Sequence, residues 1–138
     1  MAAYGQGFDW PFLAGADLST TTDRFCVVAL STSANKVIKA TGTCGSAGGP
    51  IGIQQNSPSS GQECQVRMMG MSNALIDASN SAVAYGEFLS PVAASAFKLE
   101  PHAPTKTGCP FAIALDTVAS GSVRAPVWLL GPHAGQNV

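Results

Sequence analysis

Charge is what this chain has least of. Of its 138 residues, 7 are Lys or Arg and 8 are Asp or Glu, a charged fraction of 11%, where a soluble domain ordinarily carries about 25%. The few cations are scattered singly, so nothing forms the clustered basic footprint that nucleic acid requires. Nor is there a polybasic segment to draw the chain to an anionic membrane surface. A net charge of −1 gives little of the self-repulsion that keeps a free enzyme in solution. Ser, Thr, Gln, Asn and small apolar residues must therefore make up the surface, which suits a protein held against other protein surfaces.

Long apolar runs are also missing. The strongest, Phe25-Cys26-Val27-Val28-Ala29-Leu30, is strand-sized and far short of the ~20 residues that span a bilayer. Met1–Gln6 has neither the basic nor the apolar region of a secretory leader. The four cysteines (Cys26, Cys44, Cys64, Cys109) include no Cys-x-x-Cys pair and have no histidine close by. They read as small buried hydrophobes, with paired disulfides the alternative for an even count. No metal site is legible.

Catalytic constellations are absent too. His102 lies in a loop between Pro101 and Pro104, and His133 follows Pro132; neither has a nucleophile or an orienting partner beside it. Asp77, Glu87, Glu100 and Asp116 are spread singly. The glycine-rich stretch 42–52 lacks the Gly-Lys-Ser/Thr ending of a phosphate loop, and Pro50 leads into a strand where such a loop needs a helix. The expectation is a protein without cofactor or metal that is not an enzyme.

What is present is punctuation. Gly 15 and Pro 9 cut the chain into short pieces rich in Val, Ile, Leu, Phe and Thr. Strands are expected at 24–30, 36–40, 50–54, 63–68, 73–78, 87–89, 96–99, 111–115 and 123–130. A hairpin loop is expected at 31–35, and a Ser-Pro turn after Asn56. Pro126, inside its run, marks an edge or a bulge. Residues 90–97 and 112–120 compete weakly as short helix. This pattern predicts an all-β fold, a small antiparallel β-barrel or sandwich, with the domain at 17–132 and a C-terminal tail at 133–138.

Residues 1–16 read as an extended N-terminal arm. Tyr4, Phe8, Trp10 and Phe12, four of the ten aromatics, lie there among glycines with Pro11. The rings either fold back onto the domain's own core or anchor the arm in a partner, since aromatics supply contact area at low entropic cost.

From Asp17 onward the order of elements resembles the head decoration, or capsid cement, proteins of tailed bacteriophages. The pieces that carry the resemblance are Asp17-Leu18-Ser19, Arg24-Phe25-Cys26-Val27-Val28, Lys36-Val37-Ile38 and Pro50-Ile51-Gly52-Ile53-Gln54-Gln55-Asn56-Ser57-Pro58 with Gly61. Val66-Arg67-Met68-Met69-Gly70, Gly86-Glu87-Phe88-Leu89, Ala112-Ile113-Ala114-Leu115-Asp116 and Val127-Trp128-Leu129-Leu130-Gly131-Pro132 follow in order. Where the family carries Gly-Asp, this chain has Gly86-Glu87, and the aromatic arm has no counterpart. The resemblance implies a structural virion protein, assembled in the host cytoplasm, that binds the outer surface of the mature icosahedral capsid and stabilises it. It also implies the major capsid protein as partner and a homo-trimer as the attached form, without nucleic acid or membrane. Tyr4, Phe8, Asp9, Trp10 and Phe12 are the candidate capsid contacts. The alternative is a virion or surface module that recognises a glycan through exposed loops at 42–49 and 90–104.

Overall fold

The computed structural model describes residues 7–42, 48–93, 95–102 and 110–131. They form nine strands: β1 (Gly7–Ala14), β2 (Val27–Leu30), β3 (Lys36–Lys39), β4 (Pro50–Gln54), β5 (Glu63–Asp77), β6 (Phe88–Val92), β7 (Ser95–Pro101), β8 (Ala112–Ala114) and β9 (Ser122–Leu129). One 3-10 turn, Thr21–Asp23, precedes β2. The all-β reading holds. The barrel or sandwich does not: the strands make one mixed sheet in the order β1-β3-β2-β4-β5-β7-β6-β8-β9, with β1–β5 and β5–β9 as further pairings. Those two pairings close incomplete rings on either half of β5. Within those rings the parallel pairings β1–β3 and β5–β7 are only two and one residue pairs long, so each ring has one short seam. Periodicity shows which face of a strand is buried but not which strand lies beside it, so sequence could not reveal the parallel pairs.

Strand β5 is the shared member. Its first half pairs with β1 from Gly70 to Glu63, and its second half with β9 from Gly70 to Asp77. Two strands were expected here, separated at Met69–Ser72. Gly70 (φ 95°) instead lets the chain bend while its neighbours stay in register, opposite both Gly7 and Leu129. Each half covers its own core. Cys26, Val28, Val37, Cys64 and Val66 pack together with Leu18 in one. Ile53, Ile76, Leu89, Leu99, Phe111, Val127 and Leu129 pack together in the other.

The motif around β4 now has a physical account. Gly52 is required by close approach: a Cβ there would meet the Arg67 carbonyl oxygen and lie 2.6 Å from Val66 Cγ1. Gln54 is fully buried and its Nε2 donates to the Asp23 carbonyl at 2.6 Å. Asn56 closes the β4–β5 hairpin, donating to the Glu63 carbonyl and accepting the Gln65 N–H, both at 2.8 Å. Asp17 and Ser19 form a turn that presents Leu18 to the core, and the Leu18 N–H reaches the Pro58 carbonyl at 2.9 Å. Glu87 accepts the Ala84 N–H at 2.8 Å.

The arm is the main departure from expectation. Residues 7–14 are a strand with seven partners on β5 and one register shift, between Phe8 and Asp9. The period of two in Phe8, Trp10 and Phe12 was hidden by Pro11 and the flanking glycines. Gln65 turns its N–H toward Asn56 and its C=O toward Gln55. The Pro11–Gln65 pair is thus a non-hydrogen-bonded one, and the proline's missing donor faces away from β5. Pro126, expected at an edge or a bulge, instead lies within a strand that has neighbours on both sides: it pairs with Asn73 of β5 without a register shift, and its carbonyl accepts the Leu115 N–H at 3.0 Å, just past the last β8 pair at Val127. Of the stretches 90–97 and 112–120, weighed as short helix, residues 90–92, 95–97 and 112–114 are strand, and β6 and β7 pair as a hairpin across most of the expected 90–104 loop. Tyr4, the tail 133–138, Cys44 and Cys109 lie outside the described residues.

Candidate functional site: an apolar row on the outer face

The alternation along β9, β8 and β6 turns Val127, Leu129, Ala112, Ala114 and Leu89 inward. It leaves Trp128, Ile113 and Phe88 on the opposite face. Register then aligns them: Phe88 lies opposite Ile113, Ile113 opposite Trp128, and Trp128 opposite Met71 of β5. With strands about 4.8 Å apart, this row is roughly 14 Å long. Met69 extends it. It sits two residues before Met71, lies against Gly131 just beyond β9, and pairs with Phe8 of β1. The Phe8 and Trp10 rings are tilted by 31° with centroids 6.2 Å apart.

Phe8, Trp10, Met69, Phe88 and Trp128 are each 46% to 53% exposed. Five such side chains leave on the order of 500 Å² of apolar surface in water, at the top of the range for a monomer's largest patch. Scattered single hydrophobes need no explanation, but an aligned row across five strands does.

The sequence candidates divide accordingly. Phe8 and Trp10 are in the row. Phe12 packs instead against the core of the first ring. Asp9 is held inside the chain: Arg67 Nε and Nη2 donate to its two carboxylate oxygens at 2.7 and 2.9 Å, and Arg67 Nη1 donates to the Met71 carbonyl at 2.8 Å. This bidentate pair fastens β1 to β5. Met69, Phe88 and Trp128 were missed as candidates. The signal for Trp128 was present, as a large aromatic on the face opposite Val127 and Leu129, but its neighbours come from other strands.

The two described cysteines present no exposed nucleophile. Cys26 and Cys64 are free, fully buried and in one core. Burial pushes the Cys26 thiol up to about 12, with the Asp23 charge adding to it, and burial pushes the Cys64 thiol up to about 11. Both are inert packing groups. Among the described residues no three His, Cys, Asp or Glu side chains are placed to hold a metal, and no helix is long and apolar enough to cross a membrane.

The class these features define is a charge-poor, all-β protein with a rigid apolar outer face. No protein-family model matches the sequence, and no curated protein is significantly similar to it. Its fold is similar to a solved structure, the head fiber gp8.5 N base of bacteriophage phi29, with a TM-score of 0.59 over 88% of this chain and 92% of that one. Sequence identity is 14%, so the likeness is one of fold.

Proposed function

We propose that this protein is a structural component of a bacteriophage head, bound to the outer surface of the capsid through its apolar row and stabilising the shell without catalysing a reaction. The observation that carries this reading is the aligned outer-face row that includes the half-exposed Phe8, Trp10, Met69, Phe88 and Trp128. The fold likeness to the base of a phage head fiber supports it, as does the motif order shared with decoration proteins. Under this reading the partner is the major capsid protein. Bridging of neighbouring capsid subunits, with attachment as a trimer, converts weak single contacts into a durable one through effective concentration.

The test is co-sedimentation with expanded capsids that lack the protein. Removing residues 1–14 would delete a sheet strand, so point variants are the better probe. Wild type is expected in the pellet, and Phe8→Ser and Trp128→Ser are each expected to bind about tenfold more weakly or worse, as central aromatic anchors do. Wild type remaining in the supernatant overturns the proposal. Equal binding by both variants moves the contact away from this face. Light scattering that reads one copy per particle removes the trimer.

A further inference from the structure

Cations that are far apart in sequence meet at one place in the fold. Lys39 at the end of β3, Lys98 on β7 and Arg124 on β9 line a single groove with Thr21, Thr22 and Asp23 of the 3-10 turn, Leu75, Phe97 and Ser122. Three of the seven Lys and Arg residues of the chain thus share a depression of about 480 Å³. That size suits a small ligand. The lining has one carboxylate against three cations. Asp23 is already bound, accepting from Thr20 Oγ1 at 2.7 Å and from Lys39 Nζ at 3.1 Å. Asp77 stands close enough to feel Lys98, but its carboxylate is engaged first by Ser79.

The cations are held in place. Arg124 Nε donates to the Arg24 carbonyl at 3.0 Å and its Nη2 donates to the Thr21 carbonyl, which ties the turn to β9 and fixes the guanidinium at the groove wall. Lys39 and Lys98 both lean on Phe97, with Nζ 4.9 and 5.8 Å from the ring centroid, and Lys98 Nζ also donates to Ser122 Oγ at 3.2 Å. Cation–π contacts keep the ammonium groups at the ring without cancelling their charge. The remaining lining is Leu75 and the hydroxyl residues Thr21, Thr22 and Ser122.

We infer that this groove binds an anionic sugar, a glycan residue carrying a carboxylate or a phosphate. The cations take the charged group and Thr21, Thr22 and Ser122 take ring hydroxyls. An acidic side chain from a protein partner would satisfy the cations but leave most of the volume and the hydroxyls unused. The site is separate from the apolar row and does not depend on the capsid proposal.

The probes are D-glucuronate and glucose 6-phosphate, with D-glucose as the neutral control and a hexaglutamate peptide as the protein-like anion. Binding is measured by NMR titration of the full chain. The expected result is saturable binding of at least one anionic sugar with Kd about 1 mM, a weak-site affinity, and no saturation by glucose. Lys98→Gln and Lys39→Gln, each checked for an unchanged fold by circular dichroism, are expected to weaken it by about fivefold or more, and one folded variant suffices. The inference is overturned if neither anionic sugar saturates by roughly 50 mM, an upper limit for a specific weak site, or if glucose binds equally. It is also overturned if hexaglutamate binds more tightly than both sugars, or if the folded variants bind as wild type does.

Discussion

Substituting Gly52 by alanine should destabilise the protein through one contact. Gly52 lies on β4, opposite Val28 of β2, and an added Cβ would meet the Arg67 carbonyl oxygen, lie 2.6 Å from Val66 Cγ1 and 3.1 Å from the Arg67 carbonyl carbon. A flexible side chain could swing aside, but two of these atoms are backbone of β5, which is paired along both halves. Overpacking of this kind costs about 1–3 kcal/mol. The smaller unfolded-state entropy of alanine returns about 0.5–1 kcal/mol, and the rigid partner places the clash at the upper end, so the net loss is about 2 kcal/mol. For a chain of this size that is roughly 7 °C in Tm. Gly61 serves as the comparison, since its φ of 83° is unfavourable for alanine while no atom lies within 4 Å of the added Cβ. Its loss should be backbone strain alone, about 1 kcal/mol. Urea unfolding followed by circular dichroism is the suitable assay, because both tryptophans are half exposed and report burial poorly. Equal stability of Gly52→Ala and wild type, or a larger loss at Gly61, would refute the close-approach argument.

Two further outcomes follow from the buried and the titrating groups. Cys26 and Cys64, buried and with thiols raised to about 12 and 11, should stay unlabelled by maleimide at pH 8 in the native protein and react in urea; mass-spectrometric mapping of label to either one at native conditions contradicts their core placement. Asp17 is held below its ordinary value of 3.8 by hydrogen bonds from the Ser19 hydroxyl and N–H. Because its folded value lies under its unfolded one, its contribution to stability is present above pH ~4 and is lost as pH falls through the folded value. NMR titration should show Ser19→Ala moving the Asp17 midpoint upward, and an unmoved midpoint would remove the hydroxyl as the cause.

Local pattern carried much of the fold. Pro50–Gln54 was read with its observed ends because proline opens it, alternation runs through it and a Ser-Pro turn follows. The β2–β3 hairpin was legible for similar reasons, and Asn35 (φ 58°) supplies the left-handed residue its turn needs. What escaped was non-local. Met68-Met69-Gly70-Met71 reads as a break, and only β1 and β9 pairing on either side of Gly70 makes β5 continuous. The candidate site divides the same way. Phe8 and Trp10 were visible as aromatics without a core to join, whereas Met69, Trp128 and Phe88 become their neighbours only through register across β5, β9, β8 and β6. The cationic groove is the extreme case, since Lys39, Lys98 and Arg124 look like isolated charges along the chain.

The placement of β1 changes what binding through this face requires. A free arm would have to be ordered on docking, and each immobilised residue would subtract about 1–2 kcal/mol of backbone entropy from the affinity. Here Phe8 and Trp10 ride on a strand with seven partners on β5, fastened by the Asp9–Arg67 pair and packed so tightly that a Cβ on Gly7 would lie 2.8 Å from Arg67 Cδ. That ordering is done during folding. The half-exposed rings are therefore presented at fixed spacing, beside a Trp128–Ile113–Phe88 row that the second ring holds just as firmly. A face built this way gains little from adapting to a partner and favours a flat surface of matching shape.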